Sequence, residues 1–283
     1  MTELGGAVRR IWTDGRRIEK VAYLVGGVLL ASGLVHVVVL LVTRRTWIGP
    51  VSLRKAATFG LSFGLTLASV AWATSFLRLR ARELVLGAFL IACVTETVLV
   101  TLQAWRGVPS HFDFATPFDT AVSMTLAAGG GVIVAVGIAA AVAAFTGACT
   151  LAPSMALAVR AGLAVLLVAL ATGALMIARG VLEARSGDPQ LAYDTAGSLK
   201  PLHAVAMHAV LVLPGLAWLL GHTPWDEHRR LALVRVAVVA DAVLTLVVGI
   251  EAFADIPPLA PPPVLGVPSA AALAVLLGTG VVA

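Results

Sequence analysis

Apolar residues run in long blocks along this chain, and the polar residues gather between the blocks. A helix rises about 1.5 Å per residue, so about 20 apolar residues cross the hydrocarbon layer of a bilayer. On that criterion the pattern predicts eight spans, near 20–42, 55–77, 84–105, 119–146, 158–179, 201–221, 231–253 and 267–283. The fourth is overlong and is expected to tilt or project, and the eighth is the shortest. Connections this short leave no room for a soluble domain. The expected organisation is a polar N-terminal segment, 1–19, followed by a single transmembrane helical domain, 20–283.

Composition agrees. Hydrophobic residues make up 59% of the 283, charged residues 12%, and the mean hydropathy of +0.98 lies outside the range of ordinary soluble domains. The fold class is therefore an all-α, polytopic helical bundle whose main partner is the lipid bilayer. A formal charge of +5 does not indicate nucleic acid, because the basic residues flank the apolar runs and form no patch interleaved with aromatics. With the N-terminus cytoplasmic, twelve of the 20 Lys and Arg residues fall on the inner side, which favours that orientation in a cell membrane. The first 19 residues are too long and too charged for a secretory n-region, and the apolar run after them lacks a small-residue cleavage site, so the first span is read as retained. Cys93 lies mid-span and Cys149 in a connection, which supports neither a disulfide framework nor a cysteine metal site.

Against this apolar background the loop RGVPSHFDFATPFD, Arg106 to Asp119, concentrates polarity. Part of it is local structure: Thr116, Pro117 and Asp119 have the order of an N-cap, a first helical residue and a capping-box acid. HTPWDEH repeats the device with Thr223, Pro224 and Asp226. Arg106, Ser110, His111 and Asp113 are left over, and a charged loop at a membrane surface is by default solvated.

Depth gives the remaining polar groups more meaning. Counting from the outer membrane end, His36 lies at roughly 9 Å, Ser62 roughly 10 Å, His208 roughly 11 Å and Glu96 roughly 14 Å. A spacing of seven returns a helix to nearly the same face, so Glu96 and Gln103 form one stripe, and Lys55, Ser62 and Ser69 another. The expectation is one polar cavity beneath the RGVPSHFD loop, built by Lys55, Glu96, Gln103, Arg106, His111, His203 and His208. An ionisable group at such depth costs several kcal/mol against lipid, so Glu96 should face the bundle interior and find a partner or take up a proton. Its plainer role is to bond to neighbouring threonines or a histidine and hold helices together.

A lone histidine in an apolar helix is usually a satisfied core residue, and His203 and His208, five apart, cannot share one metal from a common face. His36 and His208, at matched depth on different helices, have the placement of two axial ligands of a haem b. Asp241, deep in the seventh span, has no evident companion, and Gly60 to Gly64 form a small-xxx-small pattern that allows close helix contact.

The runs RKAATFGLSFGLTLASVAW, LQAWRGVPSHFDFATPFD and LHAVAMHAVLVLPGLAWLL resemble, in that order, segments of a family of uncharacterised bacterial multi-pass integral membrane proteins. The shared features are a basic residue before the second span, an RGxxSHF loop and a paired-histidine helix. The likeness extends over about half the chain. Ala56 stands where a proline is expected, Asp113 where an asparagine is, and Leu211 where a glutamine is. The resemblance implies a bacterial inner-membrane location and no particular activity.

Three functions are compatible with this pattern. One is a redox or cofactor protein holding haem or quinone, with His36 and His208 as ligands and Arg106 or Lys200 beside the propionates. The second is a proton-coupled transporter or small-molecule-binding protein that uses Glu96. The third is a structural subunit of a membrane complex. No HExxH or paired-aspartate motif points to an intramembrane hydrolase, and the GLSFG run, Gly60 to Gly64, lies inside an apolar span and is read as a helix-contact pattern.

Overall fold

The computed structural model describes residues 2–44, 46–47, 49, 51–147, 151–185, 197–257 and 260–283. Among these every regular element is an α-helix: α1 (Thr2–Asp14), α2 (Arg17–Thr43), α3 (Arg54–Ser75), α4 (Arg82–Arg106), α5 (Pro117–Thr146), α6 (Pro153–Arg185), α7 (Lys200–Leu220), α8 (Glu227–Phe253) and α9 (Pro263–Val282). Helices α2 to α9 are each long and apolar enough to span a membrane. The protein is a multi-pass membrane bundle. Cys149 lies outside the described residues, and Cys93 is a buried free thiol.

Three boundaries differ from the sequence reading. The segment before residue 20 carries a helix, α1, in which Val8, Ile11 and Trp12 share one side and Arg9 and Arg10 another. Helix α6 runs for 33 residues against an expected 158–179. Pro153 suits a first helical turn, and no proline follows it before Arg185, so apolar counting understated both ends. At α8 the cap falls on Asp226 itself, whose Oδ1 accepts from Arg229 N at 2.8 Å. Thr223 instead donates to the Leu220 carbonyl and closes α7.

Packing divides the spans into two interlocked groups. Helix α3 packs against α2, α4 and α7, while α6 packs against α5, α7 and α8, and α9 lies on α8. The α2–α3 seam is made by glycines. A Cβ on Gly60 would lie 2.7 Å from the Gly33 backbone, and one on Gly64 2.6 Å from the Gly26 carbonyl. The small-xxx-small pattern at Gly60 and Gly64 therefore brings two backbones into contact, as that spacing predicts.

At the end of the bundle that carries α1, a buried ion network joins two spans. Glu19, 2% exposed, accepts from Arg16 at 2.9 Å and from Arg82 at 3.2 Å, and Arg82 also donates to the Leu77 carbonyl at 2.5 Å. The opposite end carries the loop between α4 and α5.

Candidate functional site

Loop 107–116 is fixed at both ends before any functional group is considered. Gly107 takes the left-handed conformation (φ 71°), and the Gly107 and Val108 amides return to the Ala104 and Gln103 carbonyls, a glycine helix stop of Schellman type. At the other end Thr116 Oγ1 accepts from Asp119 N at 3.1 Å, with Pro117 at the first helical position, as the sequence order indicates. Between them Asp113 holds Ser123 Oγ through both its backbone amide and its carbonyl. Phe112 (φ 62°) lays its ring over Gly180 of α6, where an added Cβ would lie 2.4 Å from the ring.

Pinned in this way, the loop folds inward and joins two of the expected residues through a third. Lys55 Nζ donates to Ser110 Oγ at 3.4 Å, and Ser110 Oγ lies 2.9 Å from His111 Nδ1. On the far edge of the ring, His111 Nε2 stands 4.0 Å from Glu96 Oε2. Ser110 is 1% exposed and Glu96 is 4% exposed. The imidazole is wedged between the rings of Phe59 and Phe112, with centroids at 5.7 and 5.9 Å.

The carboxyl of Glu96 lies against α5 at Gly129, where a Cβ would come within 2.8 Å of Oε1. A side chain at 129 would push the end of the Glu96 side chain out of its present position. Thr97 does not serve Glu96, because its hydroxyl is spent on the Cys93 carbonyl at 2.9 Å. Among the described residues, His111 is the group that the structure sets within ion-pair distance of Glu96.

Donor and acceptor roles follow from the charge state of His111. Burial, with the Lys55 ammonium as a second cause, pulls its imidazole from 6.5 down to about 3, so the ring is neutral at physiological pH. A neutral imidazole offers one acceptor and one donor. With Nδ1 accepting from the Ser110 hydroxyl, Nε2 carries the hydrogen and points it at Glu96. Lys55, Ser110 and His111 are then joined donor to acceptor, and the Nε2 hydrogen is directed at Glu96 across 4.0 Å.

Gln103 and Arg106 belong to a separate cluster. Gln103, fully buried, donates to Asp119 Oδ1 at 2.9 Å, and Arg106 donates to Gln103 Oε1 and, at 2.5 Å, to Asp119 Oδ1. Thr116 Oγ1 donates to the other Asp119 oxygen at 2.5 Å, and Arg106 also covers the Phe118 ring at 4.7 Å. Both Asp119 oxygens are thereby bonded, and the effect of the group is to lock α4 to the start of α5. Asp119 is thus both the expected capping acid and the anion of a buried network.

The three span histidines do not join either cluster. His203 sits over Gly173, and its Nδ1 lies 2.7 Å from the Ala169 carbonyl of α6, which makes it an interhelical tie. His208 is exposed, with Nδ1 2.5 Å from its own helix's Ala204 carbonyl, beside Ser62, Thr66 and Ser69 in a cleft between α3 and α7 of about 10 Å³. His36 uses both nitrogens: Nδ1 lies 2.8 Å from the Ser32 carbonyl, and Nε2 accepts from Trp105 Nε1 at 3.0 Å.

The single cavity expected from matched depths is therefore divided. Equal depth does not set rotation, and His36 turns towards α4 while His208 turns into the α3–α7 cleft, with α3 packed between α2 and α7. A haem b held by His36 and His208 does not fit residues so placed, and the cleft at His208 is far too small for a haem or a quinone ring. No group of three or more His, Cys, Asp or Glu side chains suited to a metal occurs among the described residues.

Ser110 and Gly129 carry more of the site than the sequence indicated. The glycine run at 129–131, facing a helix with a buried acid, was the available signal for Gly129. Trp105 had no signal, since only the rotation of α4 against α2 shows that its indole meets His36. No family model, curated protein or solved structure matches this chain.

Proposed function

We propose that the protein is a proton-coupled membrane transporter in which Glu96 is the proton-carrying group. The support is the series Lys55, Ser110 and His111, joined by hydrogen bonds where α3 meets the loop, whose last ring nitrogen stands 4.0 Å from a carboxyl inside the membrane. A carboxylate in a low-dielectric span is costly, and protonation removes that cost. His111 is suited to pass the proton, because its neutral ring accepts on one side and donates on the other. Gly129 gives the carboxyl space to change state without displacing a side chain.

The proposal places the N-terminus in the cytoplasm, on the count of basic residues, so that the relay opens at the extracytoplasmic face. Membership of the RGxxSHF membrane-protein family is part of the same proposal, since the loop of that pattern carries Ser110 and His111.

The experiment is proton flux in vesicles reconstituted with the purified protein and loaded with a pH-sensitive dye, screened against small polar solutes under an imposed pH gradient. A solute that drives flux through the native protein and none through Glu96→Gln supports the role. Equal flux through both overturns it.

A further inference from the structure

At the end of the bundle opposite the relay, a cavity of about 500 Å³ opens where the 76–81 turn meets the starts of α2 and α4. Arg16, Arg78 and Arg82 line it, with Glu83 as the one acid in its wall and leucines 77, 79 and 84 as its apolar side. We propose that this cavity binds the phosphate of an anionic phospholipid headgroup, with the arginines on the phosphate and the leucines against the first part of the acyl chains.

Three observations carry the assignment. First, two of the guanidiniums are set in place before any ligand arrives. Glu19 accepts from both Arg16 and Arg82, and the Leu77 carbonyl accepts a second Arg82 donor. Arg82, 9% exposed, is thereby held rigid at the cavity wall. Guanidinium is the side chain of choice for phosphate, through its planar fork of donors.

Second, charge is left over after the internal pairs are made. Glu19 pairs with Arg16 and Arg82, and with Glu83 counted as well the two acids leave one positive charge among Arg16, Arg78 and Arg82, to which exposed Arg80 in the same turn adds another. Third, the lining is two-sided. Leu84, 73% exposed, begins a membrane span beside the arginines, so the cavity lies at the level where phosphates meet acyl chains. A soluble anion would have no use for that apolar wall. Helix α1, with its basic and apolar sides, enters from the same end and suits the same interface.

The test is native mass spectrometry of the purified full chain in detergent, titrated with phosphatidylglycerol, with phosphatidylcholine, and with inorganic phosphate. Arg78→Gln, on an exposed turn residue that leaves the Glu19 network intact, is compared with the native protein and with the double variant R16Q/R78Q. Preferential retention of phosphatidylglycerol is expected, weakened about fivefold by R78Q and about 25-fold by the double variant. If inorganic phosphate displaces the lipid, the phosphate site stands and accepts a soluble source as well. If it does not, the site stands as one for lipid alone. Equal retention of phosphatidylcholine, or phosphatidylglycerol binding unchanged by R78Q in a chain of native thermal stability, overturns the proposal.

Discussion

His111 Nε2 lies 4.0 Å from Glu96 Oε2, although one residue belongs to a loop and the other to the interior of a span. The loop reaches that depth because it is clamped by Gly107, Thr116 and Ser123 and seated on Gly180 by Phe112. His111→Phe keeps the ring packed between Phe59 and Phe112 but removes both nitrogens. Proton flux through the vesicle system should fall about 100-fold, the usual scale of a positioned proton-transfer group, while the thermal midpoint holds. Flux at the native level in H111F would remove His111 from the path.

Lys55 acts on the same ring electrostatically. Its ammonium is one cause, after burial, of the low His111 value of about 3. Lys55→Met should let that value climb towards 6.5, read by nitrogen NMR of labelled histidine. The sign for stability follows from linkage. A histidine whose value is lowered by folding contributes stability that is complete above about 6.5 and is lost as pH falls towards about 3, since the unfolded chain binds the proton first. The native protein should therefore lose stability on acidification through that window, and K55M should lose less.

The α2–α3 seam predicts a large effect from the smallest substitution. Gly60→Ala places a methyl 2.7 Å from the Gly33 backbone, which has no flexible end to yield. The helices must separate, at a cost of about 1–3 kcal/mol, the range for overpacked interiors. Unfolding in mixed micelles should show that loss, whereas Gly87→Ala, with nothing near its added methyl, should cost nothing and gain up to about 1 kcal/mol of helix preference.

Span number and the general position of polarity were legible in the sequence because membrane thickness fixes helix length and charge avoids lipid. Rotation was not. His36, Glu96 and His208 have similar depths, yet a turn of a helix about its axis sends His36 to Trp105 and His208 to the α3–α7 cleft. The seven-residue stripe from Glu96 to Gln103 holds as geometry, but Gln103 is drawn to Asp119 and Glu96 to His111 because different partners stand opposite each. Capping was readable at Thr116, where the acid three residues on agrees with the cap. It misled at Thr223, because Asp226 is the better acceptor and lies directly before the helical run.

The central claim is that Glu96 exchanges a proton with the far-side loop through His111. Infrared difference spectroscopy across a pH titration of the reconstituted protein reads this directly, through the carbonyl stretch of a protonated carboxyl. The account predicts a titrating carboxyl band that is absent in Glu96→Gln and slowed in its proton exchange in H111F. An unchanged band in Glu96→Gln, or exchange in H111F as fast as in the native protein, would contradict it.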